Sequence, residues 1–431
     1  MATLSELLKE KQSLPIGNVY QKTIYGKTYT YYQYFKDGKR FTEIVDNKTA
    51  EELKKQVARR KEIERLIKDI KSKEKTIFLS KNSLSYTGEV MSGDIPVAKF
   101  ENGGLVSINE ELAPLVIKRT HSLVAFLKLR VIDMSRTNAR ILKRSLGINV
   151  EEDEVLSLYS YALSVGDNYW FKPKHSKYKY QDVRFQDDSL FDLALKGNSL
   201  YFAMKAKLSP ELTTTGSFEK GWKIIDNEWW LYKSGSSKQI FSELFAYLFA
   251  ELIGVNTALY QYDDGYIRSK NFARDVNFEP LAALLGDNDS YQYVFDNLIK
   301  INKDIAKDYL KLMMFDAVIY NVDRHNENTG LLRDRNSGAI LSLAPNFDNN
   351  LALISTIDIL NEPKKDGLIK LFIEFLKNNE SALALYKSIP FKDIDKDAIN
   401  GIIRLIPIEM DNSQDIIDKI YQRYNYLKNI S

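Results

Sequence analysis

Cysteine is absent from this chain of 431 residues, and histidine occurs only three times. Without cysteine the protein has no disulfide, no thiolate zinc site and no cysteine nucleophile. The histidines, His121, His175 and His325, are too far apart in sequence for any two of them to have the spacing of metal ligands on one helix. We therefore expect any bound metal to be a hard cation held by oxygen atoms.

Long apolar runs are also missing. The best candidate, Leu244–Val255, is interrupted by Glu251 and falls short of the roughly 18 apolar residues that a membrane-spanning helix needs. The first residues, MATLSELLKEK, lack the cationic head and the apolar stretch of a secretory signal. These absences predict a cytoplasmic protein without membrane contact. With 44% hydrophobic and 28% charged residues, the chain can bury a large core, and its length suggests two or three domains.

Charge is distributed unevenly along the chain. Residues 1–75 carry 18 Lys and Arg against 11 Asp and Glu, a net charge of +7, whereas the remainder carries 43 against 47, a net charge of −4. The excess of positive charge, together with the tyrosines of this segment, favours a contact with DNA, because phosphates attract cations and bases stack on aromatic rings. The alternative is that the basic residues form an ordinary solvated surface.

The local pattern within residues 1–75 indicates a separate small module. Turn signals at Tyr25–Lys27 and Asp37-Gly38 divide the Tyr- and Thr-rich stretch Val19–Val45 into three predicted strands. A helix is predicted next, from the capping-box signature Thr49–Glu52 to about residue 73. We therefore expect a β-β-β-α module at residues 1–75.

The rest of the chain changes from strand patterns to helical patterns. Strands are predicted at Trp222–Ile225 and Trp229–Lys233, and helical periodicity dominates the last third of the chain. We assign residues 76–265 to an N-terminal lobe with its own N-terminal subdomain, and residues 266–431 to a helical C-terminal lobe. An α+β chain of this kind, with polar motifs near the junction, has the layout of a two-lobed nucleotide enzyme.

The polar motif Asn321–Gly330 carries the first part of the predicted chemistry. It follows the apolar helical pattern Leu310–Tyr320, so its polar groups lie on an anchored loop. Phosphoryl transfer needs a carboxylate that orients the attacking hydroxyl and accepts its proton, and oxygen ligands for magnesium. Asp323 can supply the base, and Asn328, five residues later, can supply an oxygen ligand for the Mg²⁺ that bridges the nucleotide phosphates, so that Asn328 binds both the metal and, through it, the nucleotide.

A second carboxylate follows the predicted strand Ala339–Leu343. Asp348 lies in the sequence Phe347-Asp348-Asn349, where it would be the main Mg²⁺ ligand. The alternative for both motifs is a pair of turns, because Asp and Asn side chains form hydrogen bonds with their own backbone.

The sequence DRHNEN at residues 323–328, with the downstream Phe347-Asp348, resembles the catalytic and metal-binding loops of the HipA toxin kinase family. DRHNxN is also shared with phosphatidylinositol 3- and 4-kinases. The resemblance to HipA-like kinases covers residues 85–431 and is strongest from Thr213 to Leu351. It implies a bilobed protein-kinase-like fold, ATP and Mg²⁺ as cofactors, a Ser or Thr hydroxyl of a protein as substrate, and an antitoxin-like or inhibitory protein as a partner.

The same resemblance assigns Lys233 to the nucleotide phosphates and Glu243 to a pair with that lysine. A lysine that ends an aromatic strand needs an anion nearby, because burying an unpaired ammonium group is costly. Glu243 lies near the start of a predicted helix, Lys238–Leu252, that ends at Gly254. The alternative is that both side chains are solvated, since Lys and Glu are usually exposed.

Two further segments complete the predicted nucleotide site. In the resemblance, Thr213–Gly221 is the loop over the phosphates, with Gly216 and Ser217 in contact with them, and Tyr266–Phe272 is the link between lobes, where Ser269 meets the nucleotide. Glycines with hydroxyl residues also form ordinary turns. HipA-like kinases can phosphorylate themselves in this loop, and the hydroxyl candidates are Thr213, Thr214, Thr215 and Ser217.

Three functions are consistent with these residues. A Ser/Thr protein kinase of HipA type is the first. A lipid kinase is less favoured, because Leu351–Ile359 contains none of the lysines or arginines that such enzymes usually carry after this motif. The third is a non-catalytic, nucleotide-binding scaffold in which residues 1–75 bind DNA or a partner; the complete set of catalytic residues argues against it.

Overall fold

The computed structural model describes residues 4–24, 27–36, 39–75, 86–133, 135–145, 153–197, 208–216, 218–352 and 366–430. The chain divides into two compact units, residues 1–79 and 80–431. Among the described residues, no helix is both long enough and apolar enough to cross a bilayer.

The first unit is a three-stranded antiparallel sheet with two helices. Its elements are α1 Leu4–Ser13, β1 Asn18–Ile24, β2 Lys27–Lys36, β3 Lys39–Val45 and α2 Asn47–Lys75, and β2 is the central strand. The three strands and the long helix agree with the sequence pattern. Helix α1 was not predicted, and it packs Leu7 against Ile63 and Ile67 of α2.

Helix α2 starts three residues earlier than the capping-box signature predicts, at Asn47 and not at Ala50. The Asp46 side chain accepts hydrogen bonds from the backbone N–H of Thr49 at 2.9 Å and from its hydroxyl at 2.6 Å. Asp46 therefore occupies the N-cap position, and Thr49 lies inside the first turn.

The second unit begins with strands and short helices and continues into a longer helical part. Its first elements are β4 Gly88–Ser92, β5 Ile95–Glu101, β6 Gly104–Ile108, α3 Leu115–Thr120, α4 Leu123–Lys128, α5 Thr137–Ser145, α6 Asp153–Leu158, β7 Tyr169–Pro173, α7 Tyr180–Val183 and α8 Phe191–Lys196. A 3₁₀ turn at Pro210–Thr213 is followed by β8 Lys220–Ile225, β9 Glu228–Lys233, α9 Ser237–Ile253, β10 Tyr260–Asp263, β11 Tyr266–Lys270 and β12 Val276–Pro280.

The remaining elements are mostly helical. They are α10 Leu281–Leu285, α11 Tyr291–Ile301, α12 Lys303–Ile319, β13 Gly330–Asp334, β14 Ile340–Leu343, α13 Gly367–Asn378, α14 Glu380–Lys387, α15 Lys396–Arg404 and α16 Ser413–Lys428. The strands of this unit form sheets with the orders β6-β5-β4-β7, β10-β11-β9-β8 and β12-β13-β14.

The predicted strands and helix around Lys233 agree with β8, β9 and α9. Helix α9 ends at Gly254, which has a left-handed φ of +78°, as expected for a glycine C-cap. Phe245 and Phe249 of α9 stack on each other, and Phe249 also stacks on Phe315 of α12. This aromatic contact joins the helix that carries Glu243 to the helix that precedes the Asn321–Gly330 loop.

A buried arginine also contacts the C-terminal end of α12. Arg423 of α16 is fully buried and donates hydrogen bonds to the carbonyl oxygens of Ala317 and Val318, at 2.5 and 2.8 Å. It also donates to the carboxylate of Asp366 at 2.8 Å. Because the last carbonyls of a helix lack partners within the helix, Arg423 satisfies groups at the C-terminus of α12, directly before the polar loop.

We expect Arg423→Met to lower the free energy of unfolding by about 3 to 5 kcal/mol, because it leaves the Asp366 carboxylate buried without its cation. Urea unfolding of the full chain measures this change. The matched control is Lys396→Met, which removes the exposed ion pair between Lys396 and Asp418 and should cost less than about 1 kcal/mol. Equal effects of the two changes would contradict the role assigned to Arg423.

Candidate active site

The ammonium group of Lys233 contacts two carboxylates. Lys233 Nζ lies 3.0 Å from Glu243 Oε1 and 2.6 Å from Asp348 Oδ1. Strand β9 ends at the lysine, helix α9 carries the glutamate, and Asp348 belongs to the loop after β14. Asp348, 115 residues from Lys233 in the sequence, thus joins the local Lys233–Glu243 pair, and Lys233 has the anionic partners that its burial requires.

Burial and charge act in opposite directions on this cluster. Burial on its own would lower the pKa of Lys233, but the charges of Asp348 and Glu243 raise this pKa well above its ordinary value. Burial would likewise raise the pKa of Asp348, whereas Lys233 and Lys220 hold that pKa below its usual range. The cluster therefore contains a protonated lysine and an ionised aspartate at neutral pH.

Asp348 adopts an uncommon backbone conformation. Its φ is +62°, in the left-handed region that Asp and Asn tolerate better than most residues. The backbone N–H of Asp348 donates to the hydroxyl of Tyr260 at 3.0 Å, and the backbone N–H of Asn349 donates to Glu243 Oε2 at 2.9 Å. Glu243 therefore contacts both Lys233 and the backbone of the Asp348 loop.

Arg324 holds the two polar loops together. Its guanidinium forms two hydrogen bonds with the carboxylate of Asp316, at 2.8 and 3.0 Å. It also donates to the carbonyl oxygens of Asn328 and Phe347, both at 2.9 Å, and to the side chain of Asn349 at 3.0 Å. Arg324 and Asp316 are therefore structural partners that join the Asn321–Gly330 loop to the loop of Asp348.

Asp323 and Asn328 are also close to each other. The Asn328 side chain donates to the carbonyl oxygen of Asp323 at 2.6 Å and accepts from the backbone N–H of His325 at 2.9 Å. The carboxyl group of Asp323 is half-buried, and burial and the negative charge of Asp348 raise its pKa, while His325 opposes the shift. Asp323 is therefore a carboxylate of increased basicity within electrostatic range of Asp348.

Lys220 is a site residue that sequence reasoning missed. This lysine begins β8 and is 5% exposed, and burial, with a smaller contribution from Lys233, lowers its pKa to about 8. A side chain at Gly216 would lie 2.4 Å from Lys220 Nζ, and Gly216 has a φ of +89°. The positive φ favours glycine at this position, and the loop backbone there lies close to the lysine ammonium group. The position of Lys220 within the predicted phosphate loop Thr213–Gly221 was a signal that could have identified it.

The hydroxyls of the predicted phosphate loop differ in exposure. Thr213 and Thr214 are buried and donate to the carbonyl oxygen of Pro210, at 3.2 and 2.7 Å. Thr215 is exposed. Ser217, which the sequence placed in contact with the nucleotide, lies outside the described residues.

These side chains line one cleft of about 440 Å³, a typical volume for a small-molecule site. Gly216, Lys220, Lys233, Ser269, Asp323, Asn328 and Asp348 all line it. Apolar walls are added by Leu231, Ala258, Phe272, Phe278 and Phe347. Ser269 belongs to β11, opposite Leu231 of β9, so the predicted link Tyr266–Phe272 is largely a strand whose end borders the cleft.

Oxygen atoms of the residues that line the cleft are the possible ligands of Mg²⁺. In the described part of the chain, no group of three or more His, Cys, Asp or Glu side chains could hold a metal. Mg²⁺ usually binds one or two carboxylates together with waters and substrate phosphates. Asp348 offers a carboxylate to the cleft, and the Asn328 amide oxygen keeps a second lone pair beside its bond with His325. The residues therefore fit an Mg²⁺ ion that binds together with phosphates, not a cage built by protein alone.

Comparison with known proteins gives structural neighbours only. No family model matches the chain, and no curated protein matches it. A solved structure described as the Helicobacter pylori proinflammatory kinase CtkA aligns at 19% identity over 48% of this chain and 90% of that chain, with a TM-score of 0.38.

HipA of Shewanella oneidensis MR-1, solved with HipB and operator DNA, is the more extensive match of the two. It covers 80% of this chain and 100% of that chain at 12% identity, with a TM-score of 0.50. At this identity the likeness concerns the fold. The predicted fold class is confirmed: this chain has a HipA-like kinase fold.

Proposed function

We propose that this protein is an ATP- and Mg²⁺-dependent kinase that transfers the γ-phosphate of ATP to a Ser or Thr hydroxyl of a protein. The observation that carries the proposal is the contact of Lys233 with both Glu243 and Asp348, at 3.0 and 2.6 Å, beside a cleft that Asp323 also lines. A lysine, two carboxylates and a nearby base are the groups that phosphoryl transfer requires.

Each residue has a distinct role in this proposal. Lys233 and Lys220 attract the phosphates, and Glu243 keeps the Lys233 ammonium in place. Asp323 orients the attacking hydroxyl and accepts its proton, a function that its raised pKa supports. Asn328 and Asp348 would hold Mg²⁺, which when bound neutralises charge on the phosphates. Gly216 allows the loop backbone to approach them, and Ser269 borders the nucleotide.

The kinase fold of the neighbour supports phosphotransfer in general, and that neighbour was solved as a complex with HipB and operator DNA. An antitoxin-like inhibitory protein is therefore a reasonable partner to seek for this chain. Self-modification in the loop over the cleft is a further part of the proposal. Among the described hydroxyls of this loop, Thr215 is the favoured acceptor, because the hydroxyls of Thr213 and Thr214 are buried and already hydrogen-bonded.

We expect Asp323→Asn to lower phosphate transfer from radiolabelled ATP by about 10²- to 10⁴-fold, the usual contribution of a general base. Binding of MgATP, measured by calorimetry, should change little, because the amide keeps the shape of the side chain. Asp334→Asn is the matched control: Asp334 is a half-buried aspartate at the end of β13, outside the cleft, and its replacement should leave transfer within about threefold. A wild-type chain that binds MgATP without transferring phosphate would favour the scaffold function.

MgATP binding should weaken as the pH rises through about 8, because Lys220 then loses its proton and one positive charge leaves the cleft. The loss of affinity between about pH 7 and pH 9.5 should be roughly three- to tenfold. Calorimetry across this range measures it. Lys220→Met should bind weakly at every pH and show a flat profile.

Lys223→Met provides the control for Lys220. Lys223 lies on the same strand but near the rings of Phe191 and Tyr232, outside the cleft lining. This variant should keep the wild-type pH profile. A wild-type profile without a decrease above pH 8 would contradict the role of Lys220.

Incubation of the wild-type chain with MgATP should add one phosphate, and mass spectrometry should locate it on Thr215. The Asp323→Asn chain should remain unmodified, because it lacks the base. Thr215→Ala should abolish the modification. Phosphate on Thr213, Thr214 or Ser217 would contradict the assignment to Thr215, and an unmodified wild-type chain would remove self-phosphorylation from the proposal.

A further inference from the structure

The sheet of the first unit has two different faces. Side chains alternate along each strand, so directly paired residues share a face. Thr30, 6% exposed, lies on the side toward α2, and Ala50 and Val57 of that helix are buried. On the same side, the Tyr32 hydroxyl donates to the carbonyl oxygen of Ile16 at 2.9 Å. This side of the sheet is the inner face of the unit.

The opposite side, which we call the open face, is defined by Tyr20, Lys22, Lys27, Tyr31, Arg40 and Ile44. Tyr20 pairs with Tyr31 across β1 and β2, and their rings stack at 5.5 Å. Tyr31 in turn pairs with Ile44 of β3, which is 64% exposed although it is a large apolar residue. Solvent therefore reaches the centre of the open face.

The open face carries positive charge without compensating carboxylates. Lys22, Lys27 and Arg40 are all exposed, and none of them enters an ion pair within the described residues. Glu43 is the one acidic residue in the sequences of these three strands, and it belongs to the inner face, where it accepts from the Tyr34 hydroxyl at 2.7 Å. The open face is therefore complementary to a polyanion.

Helix α2 is also basic, but its charges are partly neutralised within the unit. Arg59 pairs with Glu10 and Glu62, at 2.7 and 3.0 Å, and Arg60 pairs with Glu64 at 3.5 Å. Unpaired cations attract phosphates more strongly than cations that already have carboxylate partners. Lys54, Lys55 and Lys61 of α2 are exposed and also form no ion pair within the described residues, so the open face is favoured over the helix because its cations flank the stacked rings of Tyr20 and Tyr31.

The dimensions of the open face fit a groove of duplex DNA. Two strand spacings of about 4.8 Å separate the outer strands by roughly 10 Å, close to the width of about 12 Å of the B-DNA major groove. Lys22 pairs with Tyr29, whereas Arg40 pairs with Phe35, six residues further along β2. The cations are therefore separated by about 20 Å along the strands, the rise of roughly six base pairs.

We propose that the open face of the first unit binds double-stranded DNA in its major groove. The major groove of duplex RNA is too deep and narrow for a sheet, which favours DNA over RNA. Lys22, Lys27 and Arg40 would contact phosphates on both sides of the groove, while Tyr20, Tyr31 and Ile44 would face the base edges. This surface belongs to the first unit alone, so the proposal does not rest on the kinase activity.

The test uses the full chain and a fluorescein-labelled duplex DNA of 30 base pairs with mixed sequence. Fluorescence anisotropy gives the affinity between 50 and 200 mM KCl. The variant Lys22→Gln, Lys27→Gln, Arg40→Gln should reduce the slope of log affinity against log salt by about 2 to 3, because three phosphate contacts are lost. Its thermal unfolding midpoint should match the wild type, since the three side chains are exposed.

A matched variant removes the same number of positive charges from α2. In it, the exposed residues Lys54, Lys55 and Lys61 are each replaced by Gln. This variant should change the slope of log affinity against log salt by less than about 1, because it reduces the long-range attraction between protein and DNA without removing a phosphate contact. Equal slope changes in the two variants would overturn the assignment to the open face. Absence of binding by the wild type, or tighter binding of a duplex RNA or single strand of the same length, would overturn the proposal of a DNA duplex.

Discussion

The ammonium group of Lys233 is the point on which the arrangement of the cleft depends. It lies between Glu243 and Asp348, so it joins strand β9, helix α9 and the loop after β14. Lys233 and Glu243 are buried and Asp348 is half-buried, and an isolated charge at either of the two buried positions would cost several kcal/mol. The three charges are therefore tolerated only together, which requires that the surrounding elements adopt this one relative position.

Arg324 provides a second constraint of the same kind. Its planar guanidinium donates to Asp316 of α12 and to groups in both polar loops. Asp316 is 1% exposed, so this pair is buried, and Phe249 of α9 packs on the helix that carries it. The loops that carry Asp323 and Asp348 are consequently fixed by contacts that need no ligand, and such preorganisation is what electrostatic catalysis requires.

Sequence reasoning succeeded where the signal was local. Alternation and aromatic content predicted β8 and β9, and Gly254 marked the end of α9 because a left-handed residue was needed there. The contact between Lys233 and Glu243 could be predicted, since a strand-end lysine and a helix glutamate ten residues later both needed a partner. The roles of these residues in catalysis stay predictions.

Sequence reasoning failed where the cause is distant in the chain. Helix α1 is short and gains its stability from Ile63 and Ile67, which lie far along the sequence. The contact of Arg423 with Asp366 and with the end of α12 joins segments without any shared local pattern. In the sequence, Lys220 has no feature apart from its position in the predicted loop that separates it from a surface lysine. In the structure, the loop at the left-handed Gly216 lies close to its ammonium group. Burial of Lys220 and Arg423 depends on contacts of the assembled fold, so local patterns did not predict it.

The positive φ of Asp348 determines which substitutions can report on its chemistry. Alanine at this position would remove a carboxylate and also impose a left-handed backbone on a residue that disfavours it by about 1 to 2 kcal/mol. Alanine scanning would therefore mix a backbone penalty with the loss of charge. Asparagine accepts the same conformation and keeps the size of the side chain, so the comparison of aspartate with asparagine isolates the charge alone.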